Sequence, residues 1–251
     1  RSAAQMAVFP QAGVEAAMKQ KINQKQTPGQ WGRALAAISV MAISACGNQA
    51  PAPDWALSAE AAAQKATQAY LQGHQRVETL QWQKARDAVA STGQPAQAAK
   101  LELMRCAAQV ASLDWSNCPA YEVQAQDAGK QEQAYARYLQ ASPQAGDIEL
   151  LPETQRGVAR QLLGGGAGLA AVAEIKDPLS RLVAAGVLLR GGAAVPDLLQ
   201  QGVDTASEQG WRRPLMAWLL LQLKAAQQGG DVEKQAQLQR RLKLLETSAP
   251  K

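Results

Sequence analysis

Apolar side chains recur at intervals of three and four residues along the chain after residue 54. The spacing is clearest in two stretches: Leu215, Trp218, Leu219 and Leu223, and then Leu238, Leu242 and Leu245. Such spacing places the apolar residues on one face of an α-helix, whereas a half-buried strand would alternate apolar and polar residues. The pattern therefore predicts a succession of amphipathic helices.

Pro and Gly divide this pattern into segments of helical length, because Pro suits the first turn of a helix and Gly the residue after its end. The predicted helices cover approximately residues 58–71, 75–91, 95–113, 130–141, 152–163, 168–175, 178–189, 196–210, 214–228 and 232–246. The short turns between them favour antiparallel neighbours. We therefore predict an all-α fold, an irregular array of antiparallel helical hairpins that is tetratricopeptide-like or α-solenoid-like but has no fixed sequence period.

The composition agrees with helices, since Ala and Gln are the most frequent residues and Phe9 is the one Phe. The formal charge of +5 is concentrated at the N-terminus: residues 1–45 contain five basic residues and one acidic residue. The other residues contain 21 basic and 20 acidic residues. A nucleic-acid-binding domain usually carries its own excess of positive charge, so nucleic acid is not an expected partner.

Residues 18–45 have the layout of a secretory signal peptide. Lys19, Lys21, Lys25 and Arg33 precede a short apolar run from Ala34 to Ile43, and the small residues Ser44 and Ala45 follow it. The apolar run is too short to cross a bilayer as a helix. Residues 1–17 do not fit this layout, and we interpret them as an upstream or mis-annotated extension.

The sequence Ile43-Ser44-Ala45-Cys46 resembles the lipobox of bacterial lipoproteins, in which an aliphatic residue and two small residues precede a Cys. The resemblance implies cleavage before Cys46, a diacylglyceryl group on its sulfur and an acyl group on its nitrogen, with no other cofactor. Gly47 rather than Asp follows the Cys, which by the same resemblance favours the periplasmic face of the Gram-negative outer membrane over the inner membrane. The Ala-rich helical remainder is similar to other Ala-rich lipoproteins, and that similarity implies no activity.

The mature chain would begin with a flexible tether, residues 46–54, because this stretch is rich in Pro, Gly and small polar residues. Residues 55–251 form the predicted helical domain, with a possible subdivision near 141–151. The domain contains no apolar stretch that is long enough for a transmembrane helix.

Cys106 and Cys118 are the cysteines that remain once Cys46 carries lipid. An oxidising periplasm permits a disulfide, which would pin the intervening loop to the preceding helix. Two free thiols are the alternative. His74 is the one histidine, and we interpret it as a turn residue. Without a second His, or a CxxC or HExxH pattern, we predict no metal site.

Two further stretches are candidates for binding. Residues 164–168 are rich in Gly, but the pattern lacks the third Gly of GxGxxG and has no GK[ST], so we predict a break between helices. Trp211, Arg212, Arg213 and Trp218 combine aromatic and Arg side chains, which are enriched at binding hot spots. They are therefore a candidate partner-binding surface, although burial of both Trp side chains in the core remains the alternative.

Two classes of function remain open from the sequence. The first is a non-catalytic envelope lipoprotein that binds a protein partner or supports assembly, which the hairpins and the lipid anchor favour. The second is an enzyme or carrier acting on cell-wall or lipid material, with a site assembled from scattered acidic residues and Trp. An enclosed pocket with convergent carboxylates and His74 would favour the enzyme, whereas an open groove would favour binding.

Overall fold

The protein was analysed as a computed structural model, which describes residues 52–166 and 168–247. Within these residues the chain forms eleven α-helices and two short 3₁₀ helices, with no strand, so the predicted all-α class is confirmed. The lipobox residues Ile43, Ser44 and Ala45, the lipidation site Cys46, and the predicted segments 1–17 and 18–45 lie outside the described residues.

The helices follow one another with short connections. They are α1 (Asp54–Gln72), α2 (Gln75–Ala90), α3 (Pro95–Ala111), α4 (Pro119–Glu122), α5 (Lys130–Leu139), α6 (Glu153–Gly164), α7 (Leu169–Ala173), α8 (Pro178–Arg190), α9 (Pro196–Glu208), α10 (Arg212–Gln228) and α11 (Val232–Thr247). The 3₁₀ helices are Ala125–Asp127 and Ala145–Leu150. None of the described helices is both long enough and apolar enough to cross a membrane.

Several helix ends agree with the sequence signals. Pro95, Pro178 and Pro196 each begin a helix, as predicted. Gly73 ends α1 with a left-handed φ of 85°, a conformation that glycine adopts without the steric penalty of a Cβ. Asp231 caps α11, because its side chain accepts a hydrogen bond from the Lys234 backbone N–H at 2.9 Å.

Two predicted helix starts are wrong by two to four residues. The first helix begins at Asp54 rather than at Ser58, so its N-cap is Pro53. The helix expected to begin at Pro214 begins at Arg212, which makes Pro214 its third residue. A proline is tolerated throughout the first turn, because the backbone N–H groups there have no partner within the helix. Pro therefore marks the first turn and not its exact first residue.

The core is centred on α3 and α8, which pack against each other and against more of the other helices than any other described pair. Helix α8 is apolar on nearly all sides, and its residues from Leu182 to Leu189 are all buried. At the crossing, a Cβ on Gly186 would overlap the backbone carbonyl oxygen of Val110. The glycine thus permits a close approach of the two helix backbones.

The first two helices pack through small residues. Ala59, Ala62, Ala63 and Ala66 line the buried side of α1 and contact a cluster that includes Trp82 on α2. Their spacing of three and four residues keeps these methyl groups on one face, so α2 lies close against α1. The two helices make the most extensive contact between any two elements in the described part of the chain.

The segment 141–151, predicted as a possible boundary, contains the 3₁₀ helix Ala145–Leu150. Asp147 in this helix accepts two hydrogen bonds from Arg137 on α5, one of them 2.8 Å long from Nε. The contacts group the chain from Pro53 onward into one compact unit, and segment 141–151 lies inside it.

Candidate functional site

The two tryptophans of the predicted partner-binding surface lie in the core. Trp218 has no exposed surface, and its indole N–H donates to the carbonyl oxygen of Ala111 at 3.1 Å. Its ring lies against Gly202 of α9, where any Cβ would overlap the ring. Trp211 is 5% exposed. The prediction that these rings form a partner surface is therefore wrong, because the spacing that aligns them on the helix also turns them inward.

The two arginines of the same candidate surface bind the protein's own backbone. Arg212 donates from Nε to the carbonyl oxygen of Leu245, near the C-terminus of α11, at 3.0 Å. Arg213 donates from Nε to the carbonyl oxygen of Tyr70 at 2.9 Å, and its Nη2 lies 3.6 Å from the Glu78 carboxylate. These contacts place Arg212 and Arg213, which are both partly exposed, at a junction between α1, α2, α10 and α11.

Cys106 and Cys118 form a disulfide with 5.6 Å between their Cα atoms, within the normal range for such a bond. Both residues are buried. Cys118 has a φ of 46°, which is uncommon for a residue other than glycine. The bond fastens the end of the loop after α3 to the interior of that helix, as the sequence analysis predicted.

The disulfide loop is held at a second point. Asn117 accepts a hydrogen bond at 3.1 Å from Arg190, which also donates at 3.2 Å to the Leu139 carbonyl oxygen. Arg190 therefore joins this loop to the end of α5. Trp115, in the same loop, is partly exposed.

An open groove of about 390 Å³ runs along the outside of α1 where α2 begins. The side chains that line it include three amides, one ammonium group and one imidazole: Gln64, Lys65, Gln68, Ala69, Gln72, His74 and Val77. His74 is exposed in the connection between α1 and α2, which confirms its interpretation as a turn residue. The sequence analysis did not identify this groove, because its Gln residues carry no distinctive motif.

The surface around the groove carries exposed cations. Lys65 on α1 and Arg76 and Lys84 on α2 are exposed, and none of the three forms an ion pair within residues 52–166 and 168–247. The lining residues include no carboxylate. The nearest acidic side chain along α1 is Glu60, which accepts a hydrogen bond from Gln64 at 3.2 Å. The Lys65 ammonium group therefore carries the positive charge of the lining.

Two exposed aliphatic side chains stand beside these cations. Val77 lines the groove and is 47% exposed, while Leu80, one turn further along α2, is 66% exposed. Residues three and four apart lie on one face of a helix, so Val77, Leu80 and Lys84 are neighbours. The surface of α1 and α2 around the groove therefore combines exposed aliphatic side chains, positive charge and free amide groups.

A second cavity lies in the interior and has a volume of only about 20 Å³. It is lined by Gln155 and Tyr135, among others. Beside it the Tyr138 hydroxyl donates to the side-chain Oε1 of Gln155 at 2.6 Å, and Nε2 of the same side chain donates to the backbone carbonyl oxygen of Ser180 at 3.0 Å. Burial raises the pKa of the Tyr138 hydroxyl well above its ordinary value of 10.0, so this hydroxyl stays protonated and donates. The space suffices for one water molecule and not for an organic substrate.

The Gly-rich stretch 164–168 lies where α6 ends. Gly164 ends α6 and Gly165 follows with a left-handed φ of 72°, as expected for a break between helices. In the part of the chain that the structure describes, no group of three or more His, Cys, Asp or Glu side chains could hold a metal ion.

The chain was also compared with protein-family models, curated proteins and solved structures. No family model, no curated protein and no solved structure matches it.

Proposed function

We propose that this protein is a lipid-anchored lipoprotein of the Gram-negative envelope, facing the periplasm from the outer membrane. It binds an envelope protein partner through the groove between α1 and α2. The helical hairpins form an irregular, α-solenoid-like array whose first hairpin carries the binding surface. In this role the protein positions a partner near the membrane and carries out no chemistry on it.

The anchor is supported by the order of features before the first described helix. A basic segment, a short apolar run and the sequence Ile43-Ser44-Ala45 precede Cys46 in the order found in lipoproteins. Cys46 and Asp54 are eight positions apart, so this segment could span about 29 Å at most. The first helical hairpin would therefore stay close to the bilayer.

The observation that carries the binding role is the open groove with Val77 at its edge. Contiguous exposed apolar surface rimmed by polar residues is typical of protein-interaction sites, and the adjacent side chains of Val77 and Leu80 supply a small patch of this kind here. The groove lies on two helices held by an alanine-rich interface, so binding would require little ordering of the protein itself. Consecutive packing of α1 on α2, α9 on α10 and α10 on α11 supports the hairpin array.

Metabolic labelling with radioactive palmitate tests the anchor. The wild-type precursor should incorporate the label and fractionate with the outer membrane. The Cys46→Ser variant should incorporate none, since it lacks the sulfur that accepts the diacylglyceryl group. Equal labelling of the two proteins would overturn the anchor, and labelled protein in the inner membrane would overturn its outer-membrane location.

Site-specific photo-crosslinking tests the binding role. A photoreactive side chain at Gln68 or Val77 should give one protein adduct of constant mass in intact cells. The same side chain at Val232, which is exposed on α11, provides the matched control. Binding through the groove is contradicted if the groove positions give no adduct, or if the control position gives the same adduct with equal yield.

A further inference from the structure

We infer that the groove between α1 and α2 binds an extended, acidic peptide segment that carries an aliphatic side chain. This inference depends on the proposed protein-binding role and specifies the chemistry of the partner. It follows from three properties of the groove: its charge, the spacing of its amides and its exposed aliphatic side chains.

The positive charge at the groove favours the binding of carboxylate groups. Lys65, Arg76 and Lys84 are exposed and form no ion pair within the described residues. Helix α2 carries two acidic residues: Glu78 is buried and faces Arg213 on α10, and Asp87, three residues after Lys84, accepts a hydrogen bond from Gln83. Because no carboxylate lines the groove, an acidic segment would meet the Lys65 ammonium group there, and a basic segment would be repelled.

The amides of α1 suit a peptide backbone. Gln64, Gln68 and Gln72 follow one another at intervals of four residues, so they lie in a row along one face of the helix. Gln68 and Gln72 form no hydrogen bond with any side chain that the structure describes. The row extends for about 12 Å, which matches the length of about four residues of extended chain. Each free amide offers both a donor and an acceptor to such a backbone.

The apolar contribution comes from α2. Val77 and Leu80 expose about half or more of their surface beside the amide row. Alternate side chains of an extended segment point in opposite directions, so an aliphatic residue could contact Val77 and Leu80. Its acidic neighbours could then reach Lys65 and Lys84.

Fluorescence anisotropy with short labelled peptides tests the inference. The protein is the full chain with Cys46→Ser, which keeps it free of lipid. Four probes are compared: alternating Glu and Leu, alternating Lys and Leu, alternating Ser and Leu, and alternating Glu and Ser. The Glu–Leu probe should bind at least about tenfold more tightly than the Lys–Leu probe, and binding should weaken as salt is raised.

Charge reversal locates the site. Lys65→Glu combined with Lys84→Glu should weaken binding of the Glu–Leu probe by about tenfold. Lys224→Glu combined with Lys243→Glu changes the net charge equally on α10 and α11 and should leave the affinity unchanged. Leu80→Ser should reduce the advantage of Glu–Leu over Glu–Ser. Circular dichroism establishes that each variant is folded.

The outcomes separate this inference from the proposed function. Equal affinity for the acidic and basic probes, or equal loss in the two charge-reversed variants, would overturn the acidic-peptide inference. If groove adducts still form in cells, the protein-binding role stands with a partner of different chemistry. Binding to anionic phospholipid vesicles that depends on Lys65 and Lys84, with no binding of the Glu–Leu probe, would identify a lipid surface instead and would also overturn the inference.

Discussion

The guanidinium group of Arg213 lies 4.2 Å from the centre of the Tyr70 ring, and Arg213 also donates a hydrogen bond to the carbonyl oxygen of Tyr70. The two residues are 143 positions apart in the sequence. They join the end of α1 to the start of α10, so the groove-bearing hairpin is fixed to the C-terminal helices. Burial raises the pKa of the Tyr70 hydroxyl, which opposes its ionisation beside this junction.

Arg213→Met should lower the free energy of unfolding by about 1–3 kcal/mol. The variant loses the hydrogen bond to Tyr70 and the cation–π contact, and it leaves the buried Glu78 carboxylate without its cation. Urea denaturation followed by circular dichroism measures the change. Arg240→Met, at an exposed position on α11 with no ion pair within the described residues, is the control and should change stability little. Similar losses in the two variants would contradict the role of the Tyr70 contact.

Gly186→Ala should lower the free energy of unfolding by about 1–3 kcal/mol or more. The added methyl group meets the backbone oxygen of Val110, which cannot rotate away as a side chain could. Gly164→Ala is the matched control, because a Cβ there meets no atom within 4 Å. The control should leave stability unchanged or raise it slightly. If both variants are equally stable, α3 and α8 do not approach each other as closely as described.

The disulfide should withstand denaturation without reductant. Thiol titration of the unfolded Cys46→Ser chain should detect no free thiol before reduction, and reduction should release both thiols of Cys106 and Cys118. Reduction should also lower the free energy of unfolding by about 3 kcal/mol, because the open loop gains conformational freedom in the unfolded state. Free thiols in the unreduced protein would contradict the bond.

The ion pair between Arg137 and Asp147 should make the free energy of unfolding fall at acid pH. Hydrogen bonds from the Arg137 guanidinium, together with a backbone N–H, hold the pKa of Asp147 below its ordinary value of 3.8. The folded state therefore binds a proton less readily than the unfolded state. The stabilisation is complete above the pKa that Asp147 has in the unfolded state. It is lost as the pH falls through the lower pKa that Asp147 has in the folded state.

The Asp147→Asn variant measures this contribution. The difference in unfolding free energy between wild type and variant should be about 1–3 kcal/mol near neutral pH. It should shrink as the pH falls from about 5 to about 2, since protonation removes the wild-type carboxylate. A difference that is constant over this range would show that the charge of Asp147 is not what stabilises the 3₁₀ helix Ala145–Leu150.

The sequence predicted a helix boundary well where the residues at that boundary determine it. Pro95, Pro178 and Pro196 determine where their helices begin, and Gly73 determines where α1 ends. The short helix Pro119–Glu122 was missed, because four residues give no periodicity to detect. The disulfide was predicted from the number of cysteines and the expected compartment, while its two partners meet because α3 and the following loop fold back on each other.

The candidate site could not be predicted in the same way. Trp211 and Trp218 were singled out as aromatic residues beside arginines, but the burial of Trp218 depends on contacts with Gly202 of the preceding helix α9 and with Ala111 of α3, which is 107 positions away in the sequence. The groove depends on the placement of α2 beside α1, and its residues are ordinary Gln, Lys and Val. No local pattern distinguishes a Gln that lines a groove from a Gln on any other helix surface.

By itself the sequence determined the helical class, many of the helix ends and the prediction of a lipid anchor at Cys46, because propensities, caps and processing signals act over a few neighbouring residues. Only the tertiary structure decided that Trp218 is a core residue, that Arg213 binds Tyr70 and that the first hairpin presents an open groove lined by Lys65 and three Gln side chains. The physical reason is that burial and side-chain contacts depend on which helices pack together. In this chain that choice is made by small-residue contacts such as Gly186 with Val110, between segments that are distant in the sequence.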